Sequence, residues 1–213
     1  ADCDGFELER QLDFDITIDS GVTLSDDIGG LVIDLAIFNM TGTLINNGSV
    51  STIQTKAITF VGGSINSIIN NGTLAADSNT LDIDGAGNLI RFENTGTMSA
   101  STIATVNVSL RSELTTFINS GTISANASTI FLDGGTITTL NNSGTISSSG
   151  NTIENFGGTL TTLLNSNTIS SNGGVAVSNE SNGAMSLINN SGTILSETAE
   201  GIYNSNSTIT TLT

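Results

Sequence analysis

Apolar residues recur along this chain in one short pattern. Writing Φ for an apolar residue and x for any residue, Φ-x-x-Φ-x-N-x-G-T-Φ begins at Ile65, Leu89, Leu114, Ile137, Leu160 and Met185, and a further copy begins at Ile209. Successive starts lie 24, 25, 23, 23, 25 and 24 residues apart, whereas the spacing inside the pattern never changes, so length variation is confined to the connections. The second apolar position (Ile68, Phe92, Phe117, Leu140, Leu163, Ile188) and the last (Leu74, Met98, Ile123, Ile146, Ile169, Ile194) form columns expected in a core. Between copies a second strand signal is read at Thr52-Ile53, Thr80-Leu81, Thr102-Ile103, Thr129-Ile130, Thr152-Ile153 and Gly174-Val175-Ala176-Val177.

Thr, Ile and Val suit a pleated, half-buried surface, and no segment sustains a helical apolar period. A unit of this size cannot bury its apolar face alone, but coils stacked at the ~4.8 Å strand spacing share one narrow core. The predicted fold is therefore all-β, a single-stranded parallel β-helix (β-solenoid) of about 24 residues per coil and roughly seven to eight coils. Residues 1–40 are expected to form an acidic N-terminal cap and first strands, and residues 41–213 the solenoid repeats.

One polar column stands inside this pattern: Asn46, Asn70, Asn94, Asn119, Asn142, Asn165 and Asn190. Asn tolerates left-handed backbone at a turn, and its amide both donates and accepts, so stacked copies are expected to hydrogen-bond along the axis as a ladder. Gly48, Gly72, Gly96, Gly121, Gly144 and Gly192 follow two residues later, with Asn167 in one copy, and mark a corner needing either positive φ or close backbone approach. A carbohydrate-binding role for the Asn row is the functional alternative to the ladder.

The segments Phe117-Ile118-Asn119-Ser120-Gly121-Thr122-Ile123, Leu140-Asn141-Asn142-Ser143-Gly144-Thr145-Ile146 and Ile188-Asn189-Asn190-Ser191-Gly192-Thr193-Ile194 resemble the NSGTI-type repeats of bacterial autotransporter passenger domains and related surface adhesins. The resemblance covers about residues 40–213. It implies a right-handed parallel β-helix displayed outside a Gram-negative cell and serving adhesion, aggregation or self-association. A membrane-anchoring β-barrel of that family is not in this sequence.

Composition narrows the chemistry. The 213 residues include 20 acidic residues, 4 Lys+Arg, no His, no Pro, no Trp and one Cys, for a formal charge of −16. Nucleic acid and anionic membranes are disfavoured as partners by repulsion. His-dependent base chemistry, zinc sites and a disulfide framework are removed with the residues they need. Cys3 is read as inert or as a cross-link between copies, and no apolar run approaches the ~20 residues of a membrane span.

Ten acidic residues against Arg10 give positions 1–34 a net charge of −9, and the remainder carries −7. Phe14, Ile16 and Ile18 alternate with Asp13, Asp15, Thr17 and Asp19, a strand with one acidic face, expected to shield the end of the solenoid. A Ca²⁺ site using Asp13, Asp15, Asp19, Asp26 or Asp27 is the metal alternative; no other cofactor is expected. At the other end Ser207–Thr213 starts a coil and covers half of it. Ile209 and Leu212, with Leu31, Ile33, Leu35 and Ile37, are the assembly candidates if copies associate end to end.

The expected function is that of a non-enzymatic, extracellular structural or adhesive β-solenoid of a bacterial cell surface, acting by display or self-association. Its expected partners are further copies of itself or a host or neighbouring cell surface. A filament subunit stacked end to end is the first alternative. A polysaccharide-cleaving β-helix is the second, with candidates Asp82, Asp84, Asp133, Glu154, Lys56 and Arg91 that form no evident cluster along the chain. Thr-x-Thr and Thr-x-Ser pairs raise an ice-binding reading that strand propensity already accounts for.

Overall fold

A computed structural model of the protein describes residues 11–12, 15–26, 33–35 and 39–213. Each repeat winds once through three strands. In the coil that opens at Ser64 these are Ser64–Asn70, Thr73–Ala76 and Leu81–Asp84. Equivalent strands of successive coils pair in parallel and build three sheets of 10, 8 and 8 strands. They are called here the long sheet, the serine sheet and the variable sheet. The protein is an all-β parallel β-solenoid of about eight turns, as the repeat predicts.

The first of these turns comes from the acidic segment. Gln11–Leu12 and Ile16–Ile18 pair with Asn39–Asn46, Thr23–Asp26 with Ser49–Thr52, and Ile33–Asp34 with Ile58–Val61. Its apolar side chains turn inward: Ile18 and Leu35 join the core, and Ile16 and Ile33 pack against it.

Register explains the constancy of the pattern. Leu89 lies between Ile65 and Leu114, Phe92 between Ile68 and Phe117, and Asn94 between Asn70 and Asn119. Pairing omits the position after Leu89, where Ile90 is 45% exposed; the strand bends there, which brings two inward residues to a spacing of three rather than two. Like side chains therefore stack on like. Phe92 and Phe117 meet edge to face with centroids 5.2 Å apart. Each fully buried side chain of this kind contributes roughly 1.5–3 kcal/mol.

One open alternative of the sequence reading is resolved, and one reading is corrected. The column Gly72, Gly96, Gly121, Gly144 does not take positive φ; it permits close approach, since a Cβ there would fall 2.0–2.1 Å from the carbonyl oxygen of the glycine one coil below. Left-handed residues cluster instead at the turn from the variable to the long sheet, as at Gly134 (φ 71°) and Arg111 (φ 69°). Asn167 also avoids positive φ, and the coil accommodates its Cβ by lengthening the bond from Thr168 N–H to Gly144 C=O to 3.2 Å, against 2.9 Å for the equivalent Thr145 bond. Second, Ile53 and Ile103 are about half exposed, at 48% and 50%, and the variable-sheet strands of those coils are Ile58–Val61 and Val106–Ser109. The connections before them are longer, which moves the inward apolar pair downstream.

Candidate functional site

The predicted asparagine column closes into a continuous buried ladder. Each amide nitrogen donates to the Oδ1 of the next coil: Asn46 to Asn70 at 2.7 Å, Asn70 to Asn94 at 2.7 Å, and Asn94 to Asn119 at 2.8 Å. Asn119 to Asn142, Asn142 to Asn165 and Asn165 to Asn190 continue it at 2.8, 2.8 and 2.7 Å. The same nitrogens reach backbone carbonyls at the corner, such as Gly144 O and Thr168 O, both 3.0 Å from Asn142 Nδ2. At the lower end Asn46 Oδ1 accepts the Gly48 N–H. These amides hold each other and the turn, and the middle five are 0–2% exposed.

A second ladder was missed in the sequence. Asn155 donates to Asn179 at 2.7 Å and Asn179 to Asn204 at 2.8 Å, on inward positions of the variable sheet. The same column holds Phe60, Ile83, Val108 and Leu132 in the coils below. The ladder thus starts on a leucine, and Asn155 Oδ1 is left buried with no partner. Its signal was present as three Asn residues spaced like the first ladder. Buried threonines add a further inter-coil tie: Thr80, Thr105, Thr129 and Thr152 each donate at 2.6 Å to a serine-sheet carbonyl of the next coil.

The outer faces of the sheets differ in chemistry. On the serine sheet Thr97, Thr122, Thr145 and Thr168 form one outward column and Ser99, Ser124, Ser147 and Ser170 the other. The variable sheet carries the charges and rings. One outward column runs Thr59, Asp82, Asn107, Phe131, Glu154, Ser178, Tyr203. The strand ends beside it carry Asp84, Asp133, Phe156 and Glu180.

Five of the six candidate acid/base residues, scattered in sequence, share this face; Arg91 lies on the long sheet and pairs with Glu93 at 2.5 Å. At the lower end Asp82, 1% exposed, takes Lys56 Nζ at 2.5 Å on one oxygen and Asn107 Nδ2 at 2.7 Å on the other. Asp84 accepts the Ser109 hydroxyl and, at 2.7 Å, the Gly85 N–H. Those two bonds, with the nearby Lys56 ammonium, hold its carboxyl below the ordinary aspartate value despite an opposing effect of burial. Glu154 accepts the Ser128 hydroxyl at 2.6 Å. Asp133 stands at the end of its strand, next to the bridge it makes with Gly157.

The other candidates are dispersed. Asp15 accepts the Thr43 N–H at 2.7 Å, while Asp19 closes a turn through its carbonyl to Val22 N–H and Asp26 ends a serine-sheet strand. Asp13 and Asp27 lie outside the described residues. Among the described residues no three His, Cys, Asp or Glu side chains group to hold a metal ion. Of the assembly candidates, Leu35 is 5% exposed in the core, Ile33 and Ile209 are partly buried against it, and Leu212 is 56% exposed. Leu31 and Ile37 lie outside the described residues. No described helix is long and apolar enough to cross a membrane.

With the ladders and the variable face in place, comparison with known proteins adds no relative: no family model, no curated protein and no solved structure matches this chain.

Proposed function

We propose that this protein is a non-enzymatic structural or adhesive β-solenoid working outside a bacterial cell, by display or self-association, with the variable sheet as its contact surface. The observation that carries this reading is the asymmetry of the rod. Its interior is devoted to apolar stacks and amide ladders that fix each coil on the next. The exposed aromatic rings among the described residues stand on one of the three faces, beside Asp133, Glu154 and Glu180. The repeats' resemblance to adhesin passenger repeats supports the exterior location. A scaffold role also agrees with the carboxylates at the lower end of that face, where Asp82 and Asp84 are tied into hydrogen bonds with neighbouring coils.

Beads coated with the purified chain test the reading. They are expected to attach to bacterial or host cells, or to clump together, more than beads carrying an unrelated acidic protein. Equal behaviour of the two would remove the adhesive reading. New reducing or unsaturated ends appearing in acidic polysaccharides incubated with the chain would replace it with the enzymatic one.

A further inference from the structure

The upper half of the variable sheet combines three features found together nowhere else among the described residues. First, Phe131, Phe156 and Tyr203 are the described aromatic rings that reach the surface, Phe156 at 45% and Tyr203 at 36% exposure; Phe60, Phe92 and Phe117 are sealed in the core. Second, Asp133, Glu154 and Glu180 stand among those rings with no described basic group in ion-pair range. Lys56 and Arg91 are held by Asp82 and Glu93, and Arg111 sits at the corner beyond Ser109. Third, the Ser178 hydroxyl, in the outward column between Glu154 and Tyr203, is fully buried and bonds to no protein group.

The arrangement alternates. Phe131 is followed one coil up by Glu154, and Phe156 by Glu180. Coils rise by ~4.8 Å, so a cation between two rows lies within the ~6 Å reach of a ring face and of a carboxylate at once. An ammonium is also a triple donor, able to satisfy a carboxylate and the Ser178 oxygen together. We propose that this face binds lysine side chains presented by an extended segment of a partner protein. A chain of sugar rings needs its aromatic platforms in one closely spaced line, whereas Phe131 and Phe156 stand in different columns and Tyr203 lies three coils above Phe131, which suits separate point cations. The proposal rests on the reading of this face as the contact surface, and names what it contacts.

The test uses the whole chain on a biosensor surface with an oligolysine peptide, the same peptide acetylated on every lysine, and an oligomer of glucosamine. Oligolysine is expected to bind, with affinity lowered at least about tenfold by the double change Glu154→Gln and Phe156→Ala, because a ring contact and a charge-assisted hydrogen bond are both lost. Glu197→Gln, an equal charge change next to the serine sheet, is expected to change it less than about twofold. If the double variant loses the β-sheet circular dichroism spectrum, Glu180→Gln alone is expected to weaken binding about threefold or more.

Equal losses for the Glu197 and variable-sheet variants would reduce the effect to the overall charge and overturn the proposal. So would binding of the acetylated peptide, or tighter binding of the glucosamine oligomer than of oligolysine. Beads that attach to cells while oligolysine fails to bind would overturn this inference and leave the adhesive reading standing. Oligolysine binding with beads that attach to nothing would do the reverse.

Discussion

A single asparagine has different weight according to where it stands in its column. Asn142 sits mid-ladder, receiving from Asn119 and donating to Asn165. Asn142→Leu is expected to destabilise by about 1–3 kcal/mol in urea unfolding, because Asn165 Oδ1 is orphaned in a dry interior. Asn155 is the first member of its ladder and already carries an orphan acceptor above Leu132. Asn155→Leu moves that orphan up to Asn179 without adding another, so a cost below about 1 kcal/mol is expected. Equal costs for the two would show that ladder position is irrelevant. Asp84 supplies a pH-dependent counterpart. Its folded pKa is lowered by the Ser109 and Gly85 hydrogen bonds, so its contribution is present above the unfolded value and fades as pH falls through the folded one. Urea midpoints from about pH 5 to about pH 2 should fall less steeply in Asp84→Asn than in the parent chain.

At the scale of the strand and its corner, close approach between coils is the governing constraint. A Cβ on Gly121 would lie 2.1 Å from Gly96 O and 2.7 Å from the Thr95 carbonyl carbon, both backbone atoms. Gly121→Ala should therefore cost about 1–3 kcal/mol, read as a lower thermal midpoint with an unchanged β spectrum at low temperature. Gly134→Ala, where the first contact is the end of the Leu110 side chain at 3.0 Å, tests the positive φ instead of the approach. The long-sheet and serine-sheet strands were legible in the sequence because Asn, Gly and three apolar residues keep fixed spacing there. The variable sheet was legible only where its connection is short. A Thr followed by Ile marks the strand start at Thr129-Ile130 but an exposed turn at Thr102-Ile103, and local residue type does not separate the two.

For the molecule as a whole, the fold class, coil length and coil number followed from periodicity, because a solenoid repeats the same contact between every pair of neighbours. The candidate face did not, since it depends on adjacency across coils. Phe131 and Glu154 are 23 positions apart in sequence and neighbours in the sheet. Once the connections are aligned correctly, the scattered Asp82, Asp84, Asp133, Glu154 and Lys56 gather on one side of the rod. Chemistry that varies from coil to coil is invisible to a search for what repeats.

The alignment of columns also makes the rod a set of interchangeable sections. Removing residues 113–135 takes out one full winding and joins Ser112 to Thr136, the residue that pairs with Glu113. Asn94 would then meet Asn142, Phe92 would meet Leu140, and Thr105 would fall under Thr152, with no seam in either sheet or core. The shortened chain is expected to fold to a particle about 4.8 Å shorter, measurable by small-angle scattering. A cut of half a winding, such as residues 113–124, would set strands of different sheets over one another and should yield an insoluble product. Length in such a scaffold is then a free variable, adjustable by splicing whole windings.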